Sequence, residues 1–214
     1  MLFFFMFDLF IFLYTQLFNR FPDRYNPTYL VTQVYDGDSF VVDNLFHVRL
    51  TNIDAPDQNE CLYQESRDFL TNLILNKRVK ITSDTPSPDG RVLSQVYLED
   101  KYINLEMIKS SLAIYTSGSY PDYEILKQVN ADNKSKKIGI FQEKCLQTVN
   151  PINPKCNIKG NYKEKHYIYT VPGCRSYNTT EMRPKKDSSE KSDRWFCTEA
   201  EAIKAGFIKA KNCQ

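Results

Sequence analysis

The chain's 214 residues, 42% hydrophobic and 25% charged, suit one medium globular domain with a small appendage and exclude a wholly disordered or collagen-like chain. A formal net charge of +2 hides an asymmetry: residues 156–214 hold 12 Lys and Arg against 7 Asp and Glu, whereas residues 1–155 hold 16 against 19. The only histidines are His47 and His166, which disfavours Ser-His-Asp, HExxH and two-histidine hydrolytic sites.

In chain order, residues 1–18 come first, with seven of the fourteen phenylalanines and a single charged side chain, Asp8. A mid-membrane Asp costs roughly 2.5–3.5 kcal/mol, and about a dozen apolar residues return roughly 0.3–0.6 each, so insertion is weakly favourable. We expect residues 1–24 to be a signal or anchor segment. From Tyr29 the pattern alternates. Tyr29–Tyr35, Ser39–Val42 and Leu45–Leu50 read as strands separated by Asp36-Gly37-Asp38 and Asp43-Asn44 turns. Tyr63, Phe69, Leu70, Leu73 and Ile74 share a helical face ending near Asn76. Arg78–Ile81 and Val92–Leu98 are strands around a Pro88-Asp89-Gly90 turn, and helices are expected over Ile103–Leu112 and from Pro121 to about Lys137, before Gly139. The order β-β-β-α-β-β-α-α predicts an α+β fold, a small closed barrel with helices outside it, and lacks the regular alternation of a parallel βαβ sheet. Residues 147–164 read as a linker between a domain at 27–146 and a small α/β unit at 165–214. In that unit Tyr167–Thr170 is a strand, Asn178–Asp193 a polar loop, and Thr198 with Glu201 a capping box opening a helix.

Asp38, Asp54 and Asp57 fall at strand edges, and Arg49 and Arg91 accompany them. Singly, each also fits a plain structural role as a turn, a strand end or a hairpin charge. Together, carboxylates from two strand ends make a hard-oxygen site for Ca²⁺ or Mg²⁺, and guanidinium forks match a phosphodiester. A metal polarises the phosphoryl oxygen while a free carboxylate orients water, which is nuclease chemistry without histidine.

Four stretches carry a family resemblance: Val34-Tyr-Asp-Gly-Asp-Ser-Phe-Val-Val42, Val48-Arg-Leu-Thr-Asn-Ile-Asp-Ala-Pro-Asp57, Asp89-Gly-Arg91 and Asn104–Ala113. In order and spacing they resemble the staphylococcal nuclease-like (thermonuclease) family, and Lys136–Phe141 resembles the end of its last helix. The resemblance covers roughly Tyr29 to Glu143. It implies a five-stranded OB-type barrel with three helices, and Ca²⁺-dependent endonucleolytic hydrolysis of single-stranded DNA and RNA without sequence preference by a monomer. It further implies Asp38, Asp54 and the Ala55 carbonyl as metal ligands, Arg49 and Arg91 on the scissile phosphate, and Tyr120 as a base-stacking residue. Asp57 stands where the family has a water-positioning glutamate. It is shorter by one methylene, and displacement of about an ångström can cost roughly a hundredfold in rate. This implies a slowed enzyme or, alternatively, a catalytically weak or inactive nucleic-acid-binding domain.

Six cysteines, none in a CxxC pair, favour disulfides over a zinc ribbon. Of the formal connectivities, one pairs Cys145 with Cys156 and Cys174 with Cys213, leaving Cys61 and Cys197. The tail resembles small units that follow some bacterial thermonuclease domains, and faintly the zinc-binding segment of adaptive-response alkylation-repair proteins. In that comparison Thr170 and Ala210 occupy two cysteine positions. The tail's basic excess suits nonspecific phosphate contacts. Arg20 and Arg24 favour a cytoplasmic body by the positive-inside tendency, while the cysteines favour an oxidising compartment. The expectation is a secreted protein, or one tethered to a membrane through residues 1–18 with its body outside the cytoplasm.

Overall fold

The computed structural model describes residues 27–88, 90–116, 118, 123–163, 166–185 and 192–213. The segment expected to be a signal or anchor lies outside them, and so does Tyr120. No helix among the described residues is long and apolar enough to cross a membrane.

Strands β1 (Thr28–Val34), β2 (Ser39–Val42) and β3 (Phe46–Leu50) form an antiparallel meander. After the two-residue β4 (Ile53–Asp54) and helix α1 (Tyr63–Ile74), β5 (Arg78–Pro86) pairs with the free edge of β1, and β6 (Val92–Leu98) pairs with β5. β6 then runs parallel to β3, matching Val48 with Val92 and Leu50 with Ser94. That pairing closes five strands into a barrel and removes both sheet edges. β7 (Lys101–Tyr102) prolongs the β6 hairpin, and α2 (Ile103–Lys109) follows it. Next come β8 (Ile114–Tyr115), which pairs with β4, and α3 (Tyr123–Ser135).

The barrel interior is one apolar cluster. Val31, Phe40, Val42, Val48, Leu50, Val79 and Val96 come from the strands, and Leu70, Ile74, Met107, Ile108 and Leu126 come from the helices. Asn104 is fully buried at the barrel closure and uses both ends of its amide. Its Nδ2 donates to the carbonyls of Thr51 (2.9 Å) and Ser94 (3.2 Å), and its Oδ1 accepts the Val96 N–H at 3.1 Å. One side chain therefore joins α2, β6 and the turn after β3, and leaves no buried amide atom unpaired.

The elements depart from expectation in their lengths. β5 extends past Ile81 to Pro86, with a register shift between Thr82 and Thr85, and α2 stops at Lys109 rather than Leu112. The β4–β8 pair was not anticipated. After α3 the chain enters a 3-10 turn at Gly139–Phe141. Gly139 has φ +57°, and a β-carbon there would lie 2.1 Å from the Ser111 carbonyl, so only glycine fits.

The second unit is a four-stranded sheet, ordered β11 (Arg194–Phe196), β9 (Ile158–Lys163), β10 (His166–Thr170) and β12 (Ile208–Lys209). Its helix α4 (Glu199–Lys204) carries the expected capping box. The Thr198 hydroxyl accepts the Glu201 N–H, and the Glu201 carboxylate reaches back to the Thr198 N–H. Central strand β9 occupies a stretch read as linker. Its Gly160 leaves room for Phe196 and Phe207, and its Lys159 side chain is buried with the ammonium on the carbonyls of Tyr177 and Thr180. Three disulfides join Cys61–Cys145, Cys156–Cys197 and Cys174–Cys213. The pairing of Cys145 with Cys156 is thus corrected. Cys145 reaches back to the chain ahead of α1, and Cys156 clasps the end of β11 next to its own strand β9.

Candidate active site

The turn between β1 and β2 is built to present one carboxylate. Asp36 Oδ1 accepts the Asp38 N–H at 2.9 Å, and the Asp38 carbonyl accepts the Leu50 N–H at 2.8 Å, fixing the turn to β3. Gly37 lies against α1; a β-carbon there would meet Ser66 Oγ at 1.8 Å and the Ala55 side chain at 2.8 Å. Next to it Asp38 is 1% exposed. Its Oδ1 accepts the Ser39 hydroxyl at 2.7 Å and an N–H of Arg49, and its Oδ2 accepts the Ala55 N–H at 2.8 Å.

Arg49 arrives by strand pairing, since it stands directly opposite Ser39 across β2 and β3. Its guanidinium joins Asp38 to Asp54, whose Oδ1 accepts from Nη2 at 2.8 Å. Asp54 is delivered by the short β4–β8 ladder and is 42% exposed. Arg91 closes the group from the start of β6, with Nη1 3.4 Å from Ser39 Oγ.

Burial pushes the Asp38 carboxyl up to about 7, against the opposing pull of Arg49 and with a further push from Asp36. Burial works against the Arg49 charge, yet Asp38, Asp54 and Asp36 outweigh it and raise its pKa. Asp57 stands apart from this group. Its carboxylate is 73% exposed and lies 3.5 Å from Lys185 Nζ. Its N–H donates at 3.1 Å to Glu60, a carboxylate only 20% exposed whose pKa is raised by burial.

The structure therefore brings Asp38, Arg49 and Asp54 into direct contact and sets Arg91 one hydroxyl away. The contact it shows for Ala55 with Asp38 is through the N–H. Sequence reasoning missed Ser39, Glu60, Arg183 and Lys185. Glu60 could have been found from the Asp57-x-x-Glu60 spacing, half of a capping box. Arg183 and Lys185 carry no local signal, because their position depends on a loop folding back onto the barrel.

Two carboxylates that converge on one guanidinium direct their oxygens at a common point of positive charge. That arrangement also suits a hard dication that keeps several waters. No group of three or more Cys, His, Asp or Glu able to share a metal occurs among the described residues.

A closed five-stranded barrel with helices outside it, and with Asp38, Arg49 and Asp54 in contact, defines the class as small α+β proteins of the OB type. Comparison with known proteins narrows the class. The family described as Staphylococcal nuclease homologue matches residues 47–143. A Haemophilus influenzae protein described as an uncharacterized endonuclease is 30% identical over 135 residues, 61% of this chain and 72% of that protein. A Staphylococcus intermedius thermonuclease is 28% identical over 130 residues, 54% of this chain and 76% of the relative. A probable endonuclease LCL3 of Phaeosphaeria nodorum is 29% identical over 160 residues, 64% of this chain and 52% of its own length. The chain belongs to the staphylococcal nuclease family.

Proposed function

We propose that the barrel mouth is the hydrolytic centre of a Ca²⁺-dependent endonuclease that cleaves DNA and RNA without sequence preference. Family membership makes the protein a nuclease; the metal and the residue roles are our reading. The observation that carries it is the convergence of Asp38 and Asp54 on Arg49, with Arg91 beside Ser39.

In this reading Asp38, Asp54 and the Ala55 carbonyl hold Ca²⁺, which when bound polarises a phosphoryl oxygen. Arg49 has two jobs. It offsets the repulsion between the two aspartates, and it offers planar N–H donors to the scissile phosphate. Arg91 supplies a second fork as charge builds on the phosphate oxygens. Asp57, being exposed, can turn toward a water at the mouth and accept its proton. The buried contacts of Asp38 with Ser39 and Ala55 hold the first carboxylate still, so little reorganisation accompanies reaction. The three disulfides support a setting outside the reducing cytoplasm.

The test is cleavage of single-stranded DNA and RNA by the oxidised protein with added Ca²⁺. EGTA should abolish cleavage, and Asp38→Ala should lower the rate by about a hundredfold or more. Folded protein that cleaves neither substrate with any divalent ion overturns the proposal and favours a nucleic-acid-binding role.

A further inference from the structure

The second unit sends one short segment to the barrel mouth, and that segment is basic. Arg183 Nη1 lies 3.9 Å from Asp54 Oδ2. Lys185 Nζ lies 3.5 Å from Asp57 Oδ2 and 3.8 Å from Glu60 Oε1. These separations exceed the roughly 2.7–2.9 Å of a committed charge-assisted hydrogen bond. Both cations stand beside the acids with donor capacity left over.

The segment is held from behind. Met182 is fully buried and exchanges two backbone hydrogen bonds of 2.9 Å with Gln147. The Arg183 N–H donates to Asp193 Oδ2 at 2.8 Å, and the Lys185 N–H donates to Ser192 Oγ at 2.8 Å. Asp193 also accepts the Tyr162 N–H (2.9 Å) and Asn161 Nδ2 (3.1 Å), so it ties the segment to β9. Glu181 pairs with Lys134 of α3 at 2.8 Å. Pro184 between the two cations fixes its own φ. The two ends of the segment are thus moored, one to the barrel and one to the second sheet.

The charges at the mouth explain what such a segment could do. Asp38 and Asp54 pair with Arg49 of the barrel, whereas the cation set beside Asp57 and Glu60 is Lys185 of the C-terminal unit; carboxylates left without such cations oppose the approach of a polyanion. Arg183 at Asp54, and Lys185 at Asp57 and Glu60, offset part of that negative charge.

Building on the nuclease reading above, we propose that Arg183 and Lys185 form a substrate-binding extension of the active site. They would contact a nucleic-acid phosphate next to the one held by Arg49 and Arg91, so that the C-terminal unit is part of the enzyme's binding surface.

The experiment compares the full disulfide-bonded protein with Arg183→Gln, Lys185→Gln and the double variant on a single-stranded DNA oligonucleotide. Steady-state cleavage is followed in Ca²⁺ and equilibrium binding in EGTA over a salt series, with thermal melting run alongside to confirm the fold. We expect the double variant to raise KM about tenfold with kcat at saturation little changed. The slope of log affinity against log salt should fall by about 0.7 for each cation removed. Arg183→Lys and Lys185→Arg should retain most of the affinity. Unchanged KM and salt slope would reduce the contacts to surface ion pairs, and a faster double variant would make the segment a plug; either result overturns the proposal. A wild-type protein that binds the oligonucleotide but never cleaves it would sink the hydrolytic reading alone, because the binding series still tests the two cations.

Discussion

The barrel and the C-terminal unit hold themselves together by different means. The barrel buries a continuous cluster drawn from five strands and three helices, and closes its sheet on itself. The C-terminal unit has a buried cluster of only Ile158, Tyr169, Phe196, Ala202 and Phe207, an open sheet, and two of the three disulfides. A cluster that small returns little burial energy against chain entropy, so cross-links take over what packing supplies in the barrel. The difference bears on function too. The packed body positions the buried Asp38 carboxylate, whereas the cross-linked unit positions cations at the rim.

The largest expected effect separates the two regions most sharply. Removing Cys174–Cys213 by serine substitution opens a ring of sequence separation 39 and costs about 4 kcal/mol on chain-entropy grounds. The C-terminal unit should then become sensitive to limited proteolysis while the barrel keeps its resistance. Removing Cys61–Cys145, with separation 84, costs a similar amount but should lower the barrel's melting temperature without unfolding it at 25 °C. Equal loss of structure in both variants would erase the distinction.

A smaller effect tests the barrel from inside. Asn104→Ala removes the side-chain partner of the Thr51 carbonyl and of the Val96 N–H, while the Ser94 carbonyl keeps the Thr51 N–H at 2.9 Å, and should cost roughly 2–3 kcal/mol. The check is a lowered urea midpoint at unchanged slope.

The smallest effect belongs to the C-terminal unit. The Tyr169 hydroxyl donates to Glu199 at 2.7 Å, and that bond, with some burial, pushes its pKa up to about 12. A folded pKa above the unfolded value near 10 means the contribution is complete below pH 10 and is lost as pH rises toward 12. Melting temperature should therefore slope downward across that window, and Glu199→Gln should flatten the slope.

How much of this was legible in the sequence depends on whether the cause was local. β1 to β3, β6 and the Thr198–Glu201 capping box follow from alternation, turn residues and cap spacing, all within a few residues of each other. Asp38, Arg49 and Asp54 could be singled out as a group because family motifs and strand-end placement point at the same side chains, and the structure brings the three into contact. β9 was missed because Asn157-Ile-Lys-Gly-Asn-Tyr162 is polar and glycine-containing in isolation. Its Gly160 is explained only by Phe196 and Phe207, and its buried Lys159 only by carbonyls 18 and 21 residues away. Arg183 and Lys185 fall in what reads as a polar loop for the same reason, since the carboxylates that face them lie more than a hundred residues earlier in the chain.

The three cross-links also set what a protease can release. One spans residues 61 to 145, and the other two overlap to cover 156 through 213 without a break. A single backbone nick inside either span leaves one covalent molecule. Of the chain between Cys61 and Cys213, only the short connection from Cys145 to Cys156 can be cut to set the nuclease body and its basic companion adrift from each other.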